Sequence, residues 1–234
     1  MMLPPDDDDD RTRVEPAGAR DHDGAAARDA EALARIGNYR LVELLGQGGM
    51  GSVWLAEQLE PVHRRVALKL VHASALDGLG RALFEVERQM LAQMAHPCIA
   101  QVFDAGSTED GRPWFAMEWV PGPPITDYAR DHGLDGPARI GLFVRICRGV
   151  QHAHERGIIH RDLKPANVLV SALDGEHQPK IIDFGVATSV YDDGGRMRAT
   201  SSDRAGTRAY MSPEQLAEDT HRIDTRSDVY ALGV

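Results

Sequence analysis

Cysteine is scarce in these 234 residues: there are two, Cys98 and Cys147, far apart and outside any paired ligand spacing. That excludes a disulfide scaffold or a zinc ribbon and fits a reducing compartment. Basic charge is short as well. Against 36 Asp and Glu stand 26 Lys and Arg, a net charge of -10, so no dominant basic surface is offered to a nucleic-acid backbone. No apolar run approaches the roughly 20 residues that cross a bilayer. The opening Met1–Pro5, followed by Asp6–Asp10, lacks the basic and apolar regions of a secretory signal. These absences predict a soluble acidic chain of the cytoplasm, or of the cytoplasmic membrane face if an anchor follows Val234.

Large aliphatic residues are missing from the first stretch, where only Leu3, Val14 and Leu33 precede Ile36. Residues 1–38 cannot bury enough apolar area to offset the entropy of ordering, so they read as a disordered acidic tail, with a short helical turn over Asp29–Arg35. The Asp6–Asp10 run lacks the spaced oxygens and turn glycine of a calcium loop and reads as solvated.

What is present begins at Tyr39. Tyr39–Leu45 reads as a strand, Gly46–Gly51 as a glycine-rich turn, and Ser52–Leu55 and Arg65–Val71 as two more strands. Arg81–Met94 carries apolar residues near helical spacing and closes at His96-Pro97. Ile99–Phe103 and Trp114–Val120 read as strands joined by a turn at Asp110-Gly111. Past Pro121-Gly122-Pro123-Pro124 the pattern turns helical, with Ala138–Gly157 the longest element and its Ala, Val and Leu residues the core. Cys147 reads as a buried small hydrophobe, and Trp114 and Trp119 as packing and hinge residues rather than a stacking platform for nucleic acid.

Gly46-Gln47-Gly48-Gly49-Met50-Gly51-Ser52-Val53 is a G-x-G-x-x-G-x-V string. A dinucleotide-binding turn shares its first six positions but opens into a helix, whereas this one opens into a strand. A glycine-rich hairpin can fold over polyphosphate with its backbone N–H groups unobstructed. Lys69, in Val66-Ala67-Leu68-Lys69, supplies a compact cation on a following strand. Then come His160-Arg161-Asp162-Leu163-Lys164-Pro165-Ala166-Asn167, a hairpin near Asp174-Gly175, Asp183-Phe184-Gly185, Ser212-Pro213-Glu214 and Asp228-Val229-Tyr230. His152, His154 and His160 read as a helix end leading into a loop rather than as zinc ligands.

From Tyr39 to Val234 this ordered set resembles the eukaryotic-type protein kinase family, and the H-R-D-L-K-P-x-N form resembles its Ser/Thr branch, of bacterial type. The resemblance implies an α+β, bilobal protein-kinase-like fold: a β-rich N-lobe and hinge over 39–120 and a mostly helical C-lobe over 121–234. It implies ATP and Mg²⁺ as cofactors, protein substrates, control by activation-loop phosphorylation, and self-association for autophosphorylation. Among catalytic residues, Asp162 would accept or orient the substrate hydroxyl proton and Lys164 would lie beside the γ-phosphate. Lys69 would pair with Glu87, or less well with Glu85. Asn167 and Asp183 would ligate the metal. For the nucleotide, Gly46, Gln47, Gly48, Gly49, Met50 and Gly51 would cover the phosphates, while the backbone of Glu118 and Val120 would bind the base. Met117 would close the back of the pocket, and Val53, Ala67 and Leu169 would clamp the adenine. Arg161 would receive a phosphate placed on Thr200, Ser201 or Ser202, and Thr207 resembles the family's buried loop threonine. His160 would pack under Phe184.

There are departures from the pattern. The family's acidic ribose contact falls near Pro124, leaving Asp127 as the alternative. The resemblance also places Val234 inside the central helix of the C-lobe, so the lobe would be incomplete, with Glu214 lacking its arginine. The expectation is an unpaired buried carboxylate, exposed apolar faces and a poorly soluble or weakly active chain. Two other functions stand beside phosphoryl transfer to protein. One is a catalytically silent nucleotide-binding or scaffolding module; the other is a small-molecule phosphotransferase, against which the Thr207–Glu214 segment argues.

Overall fold

Alternating patterns before the hinge and helical spacing after it produce two kinds of layer. The computed structural model describes residues 35–48, 51–71, 94–173, 175–184, 208–217 and 222–234. Its strands are β1 (Arg35–Ile36), β2 (Tyr39–Gly48), β3 (Gly51–Gln58), β4 (Arg64–Val71), β5 (Val102–Ser107), β6 (Pro113–Glu118), β7 (Val168–Leu173) and β8 (Glu176–Ile181). Its helices are α1 (Ile125–Asp131), α2 (Gly136–His154), α3 (Pro213–Leu216) and α4 (Thr225–Leu232). The first six strands form one antiparallel sheet in the order β1-β2-β3-β4-β6-β5, and β7 and β8 form a separate hairpin. This is the α+β, two-lobed architecture that the sequence leads one to expect.

Several boundaries differ from the sequence reading, each for a pairing reason. Arg35 and Ile36 pair with Arg40 and Tyr39, and Ile36 is buried, so ordered backbone starts before Tyr39. The glycine string stays in the ladder through Gly48, with Gly46 opposite Val53 and Gly48 opposite Gly51. Ile99 does not lie in the sheet. Ala100 N–H donates to the Ile181 carbonyl at 2.9 Å and Ile181 N–H to that of Cys98 at 2.8 Å, stitching this segment to β8. The neighbouring sheet strand therefore begins only at Val102.

Helix α2 begins where the Asp135 side chain accepts from Ala138 N–H at 2.9 Å, with a proline in its first turn. It ends before Gly157, which adopts φ 73°, a conformation glycine reaches without strain. Leu142, Ile146, Val150 and Ala153 form its buried stripe, whereas Val144 lies off that stripe and is exposed, contrary to the expectation of a core valine. Cys147 is only partly buried, and that burial pushes its thiol pKa up. Ile146, Val150 and Ala153 join Phe115, Met117, Ile158, Leu163, Val168, Ile181 and Phe184 in one hydrophobic cluster reaching from sheet to hairpin, while Leu142 packs in a second cluster with Tyr128, Leu134 and Val170. Trp114 is buried and meets Tyr39 edge-on at 5.3 Å, as a packing residue should. Among the described residues, no helix is long and apolar enough to cross a membrane.

Candidate active site

The register of β3, β4 and β6 builds one wall of the site. Val53 lies opposite Lys69, Lys69 opposite Phe115, and Ala67 opposite Met117. Directly paired residues share a face of the sheet, so Val53, Ala67, Lys69 and Met117 are presented together. Gly51 closes this wall at φ 152°, and a Cβ there would stand 2.0 Å from the Leu70 carbonyl oxygen. Beyond β6 the chain crosses to the second lobe. A Cβ on Gly122 would stand 1.9 Å from the Val170 carbonyl oxygen, so only glycine lets this segment press against β7. Val170 N–H bonds the Pro123 carbonyl at 3.0 Å, and a bridge pairs Pro124 with Leu169, which places Leu169 beside the crossing. Glu118 is tied on both sides. Its N–H donates to Gln101 at 2.8 Å, and its carboxylate accepts Lys180 Nζ at 2.8 Å. Val120 is buried.

The second wall is the loop from His160 to Asn167 together with the residues after β8. Lys164 Nζ reaches both Asp162 oxygens, at 3.2 and 2.9 Å. Asn167 Nδ2 donates to the Asp162 carbonyl at 2.7 Å and to its Oδ2 at 3.1 Å, leaving the amide oxygen as the remaining acceptor. Ile182 N–H donates to the Asn167 carbonyl at 2.9 Å, which brings Asp183 next to this loop. Asp183 Oδ1 in turn meets Lys69 Nζ at 3.0 Å, an ion pair that joins the two walls. Lys69 with Asp183, and Asn167 with Asp162 and Lys164, thus form two groups of contacts, joined through the backbone bond from Ile182 to Asn167. Carboxylate and amide oxygens are hard donors of the kind Mg²⁺ takes, so the chemistry of Asp183 and Asn167 fits the metal that the resemblance implies. Behind Met117 a small apolar cavity, walled by Val102, Phe115, Ile181 and Phe184, reaches Asp183.

The loop is braced from below. Buried Asp228 of α4 accepts the backbone N–H groups of His160 and Arg161, each at 2.8 Å, and His154 Nε2 at 2.7 Å. Burial opposes ionisation of this carboxyl, but the His154 bond and those two N–H groups outweigh it and hold the pKa below the ordinary value. His160 is fully buried against Phe184, ring centroids 4.7 Å apart. Its Nε2 meets the Ile182 carbonyl, which can only accept, while its Nδ1 accepts Asp162 N–H, so the neutral Nε2–H tautomer is the one that satisfies both.

Other expectations fare differently. Within the described residues Lys69 pairs with Asp183. Glu87 and Glu85 lie outside them, as do Gly49, Met50, Thr200, Ser201, Ser202 and Thr207. Asp127 bonds Arg130 at 3.0 Å on its own helix. Glu214 is not an unpaired buried carboxylate: it is partly exposed and accepts Ser227 Oγ at 2.6 Å. His154 serves Asp228, and no cluster of three His, Cys, Asp or Glu suited to a metal occurs among the described residues. The sequence reading passed over His154 as a partner of Asp228, and over Gln215, whose S-x-x-Q placement after Ser212 was the available signal.

The protein kinase domain family profile matches residues 39–234. Serine/threonine-protein kinase PknB of Mycobacterium tuberculosis is 40% identical over 200 residues, covering 83% of this chain and 31% of that protein. Serine/threonine-protein kinase pkn2 of Myxococcus xanthus is 34% identical over 205 residues, covering 87% of this chain and 24% of that protein. The chain therefore spans less than a third of the length of these curated relatives. Among solved structures, the M. tuberculosis PknI kinase domain aligns with a TM-score of 0.63 at 29% identity, covering 85% of this chain and 72% of that one.

Proposed function

The chain belongs to the protein kinase domain family, and from that membership we propose that it transfers the γ-phosphoryl group of ATP to serine and threonine hydroxyls of proteins. The observation that carries the reading is the pairing of Lys69 with Asp183 beside the Asn167–Asp162–Lys164 group, the two joined by the backbone bond from Ile182 to Asn167. Phosphoryl transfer asks for little covalent chemistry and much positioned charge, and this is what the two groups provide. Asp162 is the proton acceptor for the incoming hydroxyl, its carboxylate aimed by Asn167 and Lys164. Lys164 offsets charge on the transferred group, and Lys69 the charge on the phosphates nearer the nucleoside. Asp183 and Asn167 would hold Mg²⁺, whose contribution when bound is to neutralise the phosphates. The face carrying Val53, Ala67 and Met117, with Leu169 opposite, suits the adenine, and the backbone at Glu118 and Val120 suits its polar edge.

Replacing Asp162 with Asn keeps the shape and removes the acceptor. Phosphate transfer to a generic protein substrate should fall by about a hundredfold or more, with ATP affinity nearly unchanged. Transfer at the unaltered rate would remove Asp162 from the mechanism.

Control by phosphorylation is part of the same proposal. Arg161 Nε is buried without a hydrogen-bond partner among the described residues, and a phosphate carrying roughly -1.5 to -2 charges would supply one. The phosphate would be placed on Thr200, Ser201 or Ser202 by a second copy of the chain. Changing all three to Ala should lower activity, and full activity in that variant would sink the switch.

A further inference from the structure

Arg161 holds a left-handed backbone conformation, φ 66°. An arginine pays a steric penalty there and stays only where its surroundings fix both flanking peptides. Its N–H is fixed by Asp228 Oδ1 at 2.8 Å. Its carbonyl, which belongs to the peptide leading into Asp162, accepts Gln215 Nε2 at 2.6 Å. Gln215 lies 54 residues further along, on the short helix α3 after Ser212-Pro213-Glu214. The other end of the same amide is also engaged: Oε1 accepts Ser212 N–H at 3.0 Å and Ser212 Oγ at 3.2 Å. Ser212 is fully buried, so the amide cannot swing away without stranding these donors.

We propose that Gln215 is a positioning residue for the catalytic aspartate: its amide clamps the carbonyl of the Arg161–Asp162 peptide while buried Asp228 clamps the Arg161 N–H. This rests on the phosphotransfer reading for its kinetic consequence, though not for its structural one. The clamp makes the aim of Asp162 depend on the seating of α3. A shift of α3 would therefore relax the strained peptide and turn the Asp162 carboxylate before it disturbed any nucleotide contact.

The two ends of the amide can be separated chemically. Gln215→Glu keeps an acceptor for Ser212, the usual partner in an S-x-x-E cap, but cannot donate to the Arg161 carbonyl while ionised. Gln215→Met keeps the volume and removes both functions. In Gln215→Glu, hydrogen exchange in the peptide spanning Ile158–Ala166 should accelerate about tenfold, the scale of one lost hydrogen bond. The rate constant kcat should fall by a similar factor with KM for ATP within about twofold. The deficit should narrow as pH falls toward the carboxyl's ordinary value of about 4.3, where a protonated side chain donates again. Gln215→Met should show the same kcat loss without the recovery at low pH. Unchanged exchange in the catalytic loop, or full kcat in folded Gln215→Met, overturns the proposal. If the unaltered chain transfers no phosphate, the phosphotransfer reading falls alone, and the exchange measurement still decides the clamp.

Discussion

The catalytic loop and the glycine-rich hairpin sit on opposite walls of one site and are held by opposite means. His160–Asn167 is fixed by the side chains of Gln215 and Asp228, both distant in sequence, with Asp228 itself held by His154. The β2–β3 hairpin is held by its own backbone ladder, interrupted by irregularities after Leu41 and Leu44, with Val42, Leu44 and Leu45 exposed along it. The difference suits what the proposed function would ask of each. A loop that aims a carboxylate at a transferring phosphoryl group needs atoms fixed to fractions of an ångström. A cover that admits and releases a nucleotide needs backbone amides and freedom from bulk.

The braced region should therefore be the more costly to damage. Asp228→Ala strands the N–H groups of His160 and Arg161 and leaves His154 without its acceptor. A loss of about 1–3 kcal/mol for each buried donor left unsatisfied is expected in urea unfolding. The same carboxyl sets a pH dependence. Its pKa is depressed in the folded chain, so the folded state binds fewer protons than the unfolded one as acid is added. Its stabilisation is complete above the unfolded value of 3.8 and is lost as pH falls through the lower folded value. Asp228→Asn, if it folds, should show a flatter acid limb, and an identical limb would show that another group governs it.

A smaller effect is expected in the hairpin. Gly51→Ala places a Cβ 2.0 Å from the Leu70 carbonyl oxygen at a backbone angle poorly suited to alanine, and the strand must shift. A cost of about 1–3 kcal/mol is typical of such overpacking. Nucleotide affinity should weaken while hydrogen exchange at His160–Asn167 stays put. Spread of the disturbance into the catalytic loop would show that the two walls are coupled more tightly than their bonding suggests.

Much of the candidate site was legible because the proposed phosphoryl transfer would use residue types at short spacings. Asp162, Lys164 and Asn167 fall within six positions, and a chain that turns once through a short 3₁₀ segment at Pro165–Asn167 must bring them together. The glycine string and Lys69 were legible for the same reason, since strand pairing of neighbours sets their face. What the sequence hid was long-range. Nothing local says that Cys98–Ala100 would pair with Ile181 rather than join the sheet, or that Val144 would fall off the buried stripe of α2. Nor does it say that Glu214 would accept a serine hydroxyl.

Sequence alone determined the chemistry: which groups carry charge, which donate and accept, and which short segments hold them in order. Tertiary structure alone decided the partners: Lys69 with Asp183, Asp228 with His154 and two loop amides, and Gln215 with the Arg161 carbonyl. The reason is that a hydrogen bond is a matter of ångströms, while the residues that form these lie up to 114 positions apart on the chain, and only packing of the core brings them within reach.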